Sequence, residues 1–307
     1  MQENFQKVER LNEMPKEWQI LREKILENFE SKTDGLDIER MCEFMWSHNL
    51  PVTDFIAYGK EDIPKLQELF GKYLDMNVLA RFSGAYLLLL DLILLKRDKS
   101  LESINGSTYK EGDLIHEMNH AANIYDCYLK MTNGNIRPRS GFAIPNTQFR
   151  KHEGEKVEKT EKQPPWGCFM EEGFAEMLRG EYMEKNIPLE TKEKIQKNWR
   201  GGQYDSPSGL TYDVSEKYFS ILEDGKTPGF PITAIAGTGM EMLCEKEPKL
   251  KQVLIEARND IEKLREIPQL INAIRSGLYL EIQKCGSSQD EFARVQNIIK
   301  EAIKNSA

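Results

Sequence analysis

Seven consecutive residues, Leu114-Ile115-His116-Glu117-Met118-Asn119-His120, constrain this chain more than any other stretch. They form an H-E-x-x-H sequence, whose two histidines act together only on a helix. At 3.6 residues per turn, positions four apart differ by about 40° around the axis, so two imidazoles can reach one metal ion from the same face. Glu117 stands beside them, offset toward the place where a water activated by the metal would lie. Leu114, Ile115 and Met118 anchor the opposite side. The spacing suits chemistry in which zinc activates water and a carboxylate takes its proton.

Composition narrows what surrounds this helix. The chain has 307 residues, with 42 Lys+Arg against 50 Asp+Glu and a formal charge of −8. That length allows a sizeable core and one or two domains. An acidic chain without a basic tract is not expected to bind nucleic acid or an anionic membrane, since both need clustered Lys and Arg. The longest apolar run, residues 85–95, is interrupted by Asp91 and falls short of the ~20 residues that span a bilayer. Met1-Gln2-Glu3-Asn4 opens an acidic amphipathic stretch unlike a signal peptide, so the expected location is cytoplasmic. The five cysteines, Cys42, Cys127, Cys168, Cys244 and Cys285, contain no C-x-x-C pair. They read as reduced thiols rather than a disulfide framework or a zinc-binding set.

No repeat recurs at a fixed period. Trp18, Leu21, Ile25, Leu26 and Phe29 mark a one-faced amphipathic helix, and further helices are predicted over 38–46 and 63–74. The apolar run 84–95 is compatible with buried helix or buried strand; its flanking glycine, mid-run Asp91 and charged exit favour a turn near residues 88–90 and a strand over 91–96. Helices are predicted over 112–129 and 168–185. Between them, residues 133–165 are rich in Gly and Pro and hold an almost purely charged tract at 151–162, which reads as a mobile loop. Helices are then expected over 233–245, 248–257, 267–282 and 288–305. The domain reading is a helical region 1–80, a core 81–187 with the insertion 133–165, and a helical subdomain 188–307. His48 and His152 read as surface histidines.

A catalytic zinc needs a third protein ligand, with water completing the tetrahedron. The predicted helix 168–185 offers neighbouring candidates, Glu171 and Glu172, and helix geometry alone allows either. At Glu172-Gly173-Phe174-Ala175 the sequence resembles the gluzincin metallopeptidases, in which the third ligand opens such a segment on a helix after H-E-x-x-H. The resemblance covers roughly residues 84–185. It implies that His116, His120 and Glu172 hold Zn²⁺ and that Glu176, one turn on, hydrogen-bonds a ligating histidine. Gly84, Tyr86, Leu92 and Leu94 resemble the edge strand along which such folds lay extended substrate.

The resemblance therefore implies an α+β, predominantly helical, zincin-like core with a small sheet bearing an active-site edge strand. The expected activity is zinc-dependent peptide hydrolysis of a peptide or protein substrate, with Glu117 as general base. Two features depart from the family. His120 and Glu172 lie further apart in sequence than in compact members, and the helix near 232–243 lacks the Tyr or His that often stabilises the oxyanion. Tyr212, Tyr218 and Tyr182 are the candidates for that role. The alternative expectation is a zincin-like module that recognises peptide or protein without cutting it.

Overall fold

The structure, a computed structural model, describes residues 16–29, 35–70, 84–87, 90–97, 104–122, 127–130, 135–139, 142, 147–151, 157–162, 167–199, 202–221, 228–258 and 260–306. These are predominantly helical, with small sheets, and the chain divides into two compact units.

The first unit holds residues through Ala122, Tyr182–Lys194 and Ser220–Gly229. Its helices α1 (Lys16–Asn28), α2 (Ile38–Ser47) and α3 (Ile63–Phe70) accompany a three-stranded sheet of β1 (Phe55–Tyr58), β2 (Gly84–Leu87) and β3 (Leu92–Lys96). The strand order is β1-β3-β2, with β1 parallel and β2 antiparallel to β3. Every residue of β3 is buried, as expected of a central strand covered on both faces. Leu92 and Leu94 join Trp18, Ile25, Phe29, Ile56, Leu66 and Phe70 in one cluster that also takes in α1 and α3. Because side chains alternate, Ile93 and Leu95 point to the other face. There α4 (Ile104–Ala121) packs on β2 and β3, burying Leu114, Ile115 and Met118.

The second unit holds Asn123–Glu181, Ile195–Phe219 and Phe230–Ala307. It contains a four-stranded antiparallel sheet of β4 (Cys127–Lys130), β5 (Asn135–Arg139), β6 (Thr147–Lys151) and β7 (Val157–Lys162). Helix α5 (Cys168–Asn186) is continuous, and its residues are shared between the units at Glu181 and Tyr182. After α6 (Leu189–Asn198), which begins in the first unit, comes the hairpin β8 (Gln203–Asp205) and β9 (Thr211–Asp213); the short pair β10 (Ser220–Ile221) and β11 (Pro228–Gly229) belongs to the first unit. Helices α7 (Thr233–Lys246), α8 (Lys249–Glu256), α9 (Ile261–Ile274), α10 (Leu278–Gln283) and α11 (Gln289–Asn305) complete the chain. Ser288 and Glu291 form a capping box that starts α11.

Four sequence expectations change. The helix expected over 112–129 runs over Ile104–Ala121, and the final residues of that range form β4. Gly106, Ser107, Thr108 and Gly112 are weak helix formers, but packing of α4 on the sheet outweighs propensity. The stretch 133–165 contains β5, β6 and β7, because backbone hydrogen bonding builds a ladder whether or not the side chains are apolar. Leu92 and Leu94 belong to the central strand; Gly84 and Tyr86 lie on β2, whose outer side pairs with no strand among the described residues. The helix expected over 267–282 breaks into α9 and α10 at Gly277, whose φ of 78° is left-handed. The tract 71–74 and His152 lie outside the described residues.

Candidate metal centre

Helix α4 presents His116, Glu117 and His120 on the side away from Leu114, Ile115 and Met118. His120 is buried, while His116 and Glu117 are half-buried. The two imidazole rings are 4.8 Å apart at an interplanar angle of 76°, and their Nε2 atoms converge to 3.1 Å. A tetrahedral ion held at about 2.0–2.2 Å by each ligand places its donors roughly 3.3 Å apart, so this separation suits two ligands of one ion. The Glu172 carboxylate completes a group with His116 and His120 whose ligand atoms all lie within 4.8 Å of one another. Two imidazole nitrogens and one carboxylate oxygen form a donor set suited to zinc, with one position left for water.

The neighbouring glutamates of α5 occupy different environments. Glu171 is buried and bound to Arg258, whose Nη1 donates to both carboxylate oxygens at 3.1 Å. The Phe142 backbone N–H donates to the same carboxylate at 2.9 Å. Arg258 is fully buried between the Phe142 and Phe174 rings, at 4.7 and 4.9 Å from their centroids. Stacking on two aromatic faces and pairing with a carboxylate compensate the guanidinium for lost water. Glu171 is thus committed to an internal ion pair, and Glu172 is the half-buried neighbour close to the histidines. Of the two neighbours, Glu172 is the one grouped with His116 and His120.

Glycine in the Glu172-Gly173-Phe174-Ala175 segment has a packing role. A Cβ at Gly173 would come within 2.7 Å of the Ala236 carbonyl oxygen on α7, a backbone atom that cannot easily yield. One turn further along, the buried Glu176 carboxylate accepts hydrogen bonds from Arg179 at 2.7 Å and from the Thr233 hydroxyl at 3.2 Å.

The two leading oxyanion candidates differ. The Tyr212 hydroxyl accepts a hydrogen bond from Gln289 at 2.8 Å, and its ring stacks on Tyr204. Tyr218 is fully buried, and its hydroxyl has no hydrogen-bond partner among the described residues. Its ring is wedged against Gly180 and Gly237, where a Cβ would approach ring carbons to 2.7 and 3.0 Å. Burial, and then the nearby Glu176, push its phenol well above the ordinary range.

Tyr182 belongs to a cluster that sequence reading did not find. Its hydroxyl donates to Glu111 on α4 and accepts from Arg40 Nε at 3.0 Å. Glu111 is fully buried, paired with Arg40, and accepts the Asp37 backbone N–H at 2.8 Å. These partners stand 71 to 142 positions apart in sequence, and no local pattern announces them. A backbone contact at Glu117 was also missed: the Tyr86 N–H donates to Glu117 Oε2 at 2.7 Å.

Compared with known proteins, the chain matches no family model, no curated protein and no solved structure. No helix among the described residues is long and apolar enough to cross a membrane.

Proposed function

We propose that this protein is a zinc-dependent hydrolase acting on peptide bonds. The observation that carries the reading is the convergence of His116, His120 and Glu172, with ligand atoms within 4.8 Å of one another. Supporting it, Glu117 is adjacent to a ligand and only half-buried. Zinc held there by His116, His120 and Glu172 would supply water activated near neutral pH and would polarise a carbonyl.

The chain's own residues then have separate tasks. Glu117 takes a proton from the attacking water and passes it to the leaving amine, so one carboxylate serves as base and then acid. The outer side of β2, apart from the Tyr86 N–H that Glu117 holds, is where an extended substrate could pair. Arg179 neutralises Glu176, so the buried middle of α5 does not carry an uncompensated charge one turn from Glu172. The test is zinc content followed by chelator-sensitive cleavage of a mixed peptide library. Zinc with cleavage supports the reading, and its absence after metal loading overturns it.

A second reading, a zinc-holding module that binds peptide without cutting it, draws support from Tyr212 and Tyr218. One hydroxyl is engaged by Gln289 and the other is sealed from solvent. Peptide binding to the zinc-loaded protein without turnover would favour this reading over hydrolysis.

A further inference from the structure

We infer that strand β2 positions the Glu117 carboxylate, through the Tyr86 backbone N–H and the missing side chain of Gly84; this rests on the hydrolase reading above.

The geometry lies within one sheet and the helix packed on it. Tyr86 is in register with Ile93 across the antiparallel pair β2–β3, and the Ile93 N–H donates to Asp54, away from β2. Tyr86–Ile93 is therefore a pair that exchanges no ladder hydrogen bonds, and the Tyr86 N–H faces outward. It donates to Glu117 Oε2 at 2.7 Å. An N–H bonded to a carboxylate is among the stronger neutral-donor bonds, and it fixes one of the two carboxylate oxygens.

Gly84, two residues earlier on the same side of β2, makes room for this arrangement. A Cβ there would lie 2.9 Å from Glu117 Cγ and 3.3 Å from Oε1. Its obstruction is a flexible side chain rather than backbone. Alanine at position 84 therefore leaves the strand intact and displaces the Glu117 carboxylate. A positioning role and a structural role separate at this point: the substitution moves the base without dismantling the fold. A displacement of about 1 Å at a reacting group can cost on the order of 10²-fold in rate.

The experiment compares wild type, Gly84→Ala, Glu117→Gln and Glu117→Ala, all loaded with zinc. Two measurements are made: kcat on a cleaved peptide and hydrogen exchange of the Tyr86 amide. Gly84→Ala is expected to keep its zinc and its melting temperature, to lose about 10²-fold in kcat, and to exchange the Tyr86 amide faster. Glu117→Gln retains an acceptor oxygen and is expected to keep that amide protected; Glu117→Ala is expected to expose it. A Gly84→Ala enzyme with kcat within threefold of wild type overturns the proposal. So does a Tyr86 amide equally protected in Glu117→Ala. If the wild-type protein cleaves nothing, the hydrolase reading fails, and amide exchange alone still decides whether β2 holds Glu117.

Discussion

Arg258 Nη1 stands 3.1 Å from each carboxylate oxygen of Glu171, and both residues are buried. This pairing separates two adjacent glutamates that sequence alone leaves interchangeable as metal ligands. Glu171→Gln is expected to retain zinc and to lose roughly 3 kcal/mol of stability, because removing one partner strands a buried charge. Glu172→Gln is expected to lower zinc affinity at least 100-fold with little change in stability. Metal titration and denaturant unfolding of the two variants check the assignment, and a reversed pattern would make Glu171 the ligand.

Glu117→Gln preserves shape and removes the proton acceptor. Zinc binding should remain, while peptide hydrolysis should fall by about 10²–10⁴-fold, the usual range for a positioned base. Steady-state kinetics on the zinc-loaded variant give the answer, and hydrolysis at the wild-type rate would remove Glu117 from its role.

The Glu111–Tyr182 bond ties α4 to the last turns of α5. Tyr182→Phe deletes the hydroxyl and leaves the Glu111 carboxylate with Arg40 and the Asp37 N–H. The expected loss is about 1–3 kcal/mol, the cost of an unmade buried hydrogen bond. Urea unfolding measures it, and an unchanged midpoint would show that the cluster contributes nothing to stability.

Burial pushes the Cys244 and Cys285 thiols up to about 12. At pH 8 almost none of either thiol is the reactive thiolate. Alkylation of the native protein at that pH should leave both unmodified over a time in which guanidinium-denatured protein reacts fully. Peptide mapping identifies the labelled positions; rapid native labelling of Cys285 would contradict its burial.

Parts of this architecture were legible in the residues themselves. The stripe Trp18–Ile25 and the helical spacing of His116 and His120 are periodic signals, and the structure places them on helices as that period requires, with Phe29 just past the end of α1. Asp91 in the apolar run marks the turn into β3, and there it takes a left-handed φ of 43°. Which strand is central was not legible, because Gly84, Tyr86, Leu92 and Leu94 carry strand character without stating their neighbours. The charged strands β6 and β7 were missed for a related reason: ladder formation is a backbone property, and a search for apolar alternation does not register it. Arg258 was invisible too, since a fully buried arginine depends on Glu171, Phe142 and Phe174 arriving from distant segments.

His116, His120 and Glu172 are proposed to hold a single zinc ion. Zinc stoichiometry, measured by elemental analysis after dialysis against free metal, tests it most directly in the wild type and in His116→Ala, His120→Ala and Glu172→Ala. One zinc per chain is expected in the wild type, with loss of that zinc in each variant while each remains folded by circular dichroism. A wild type that takes up no zinc, or variants that retain it, would show that these three residues do not form a zinc site.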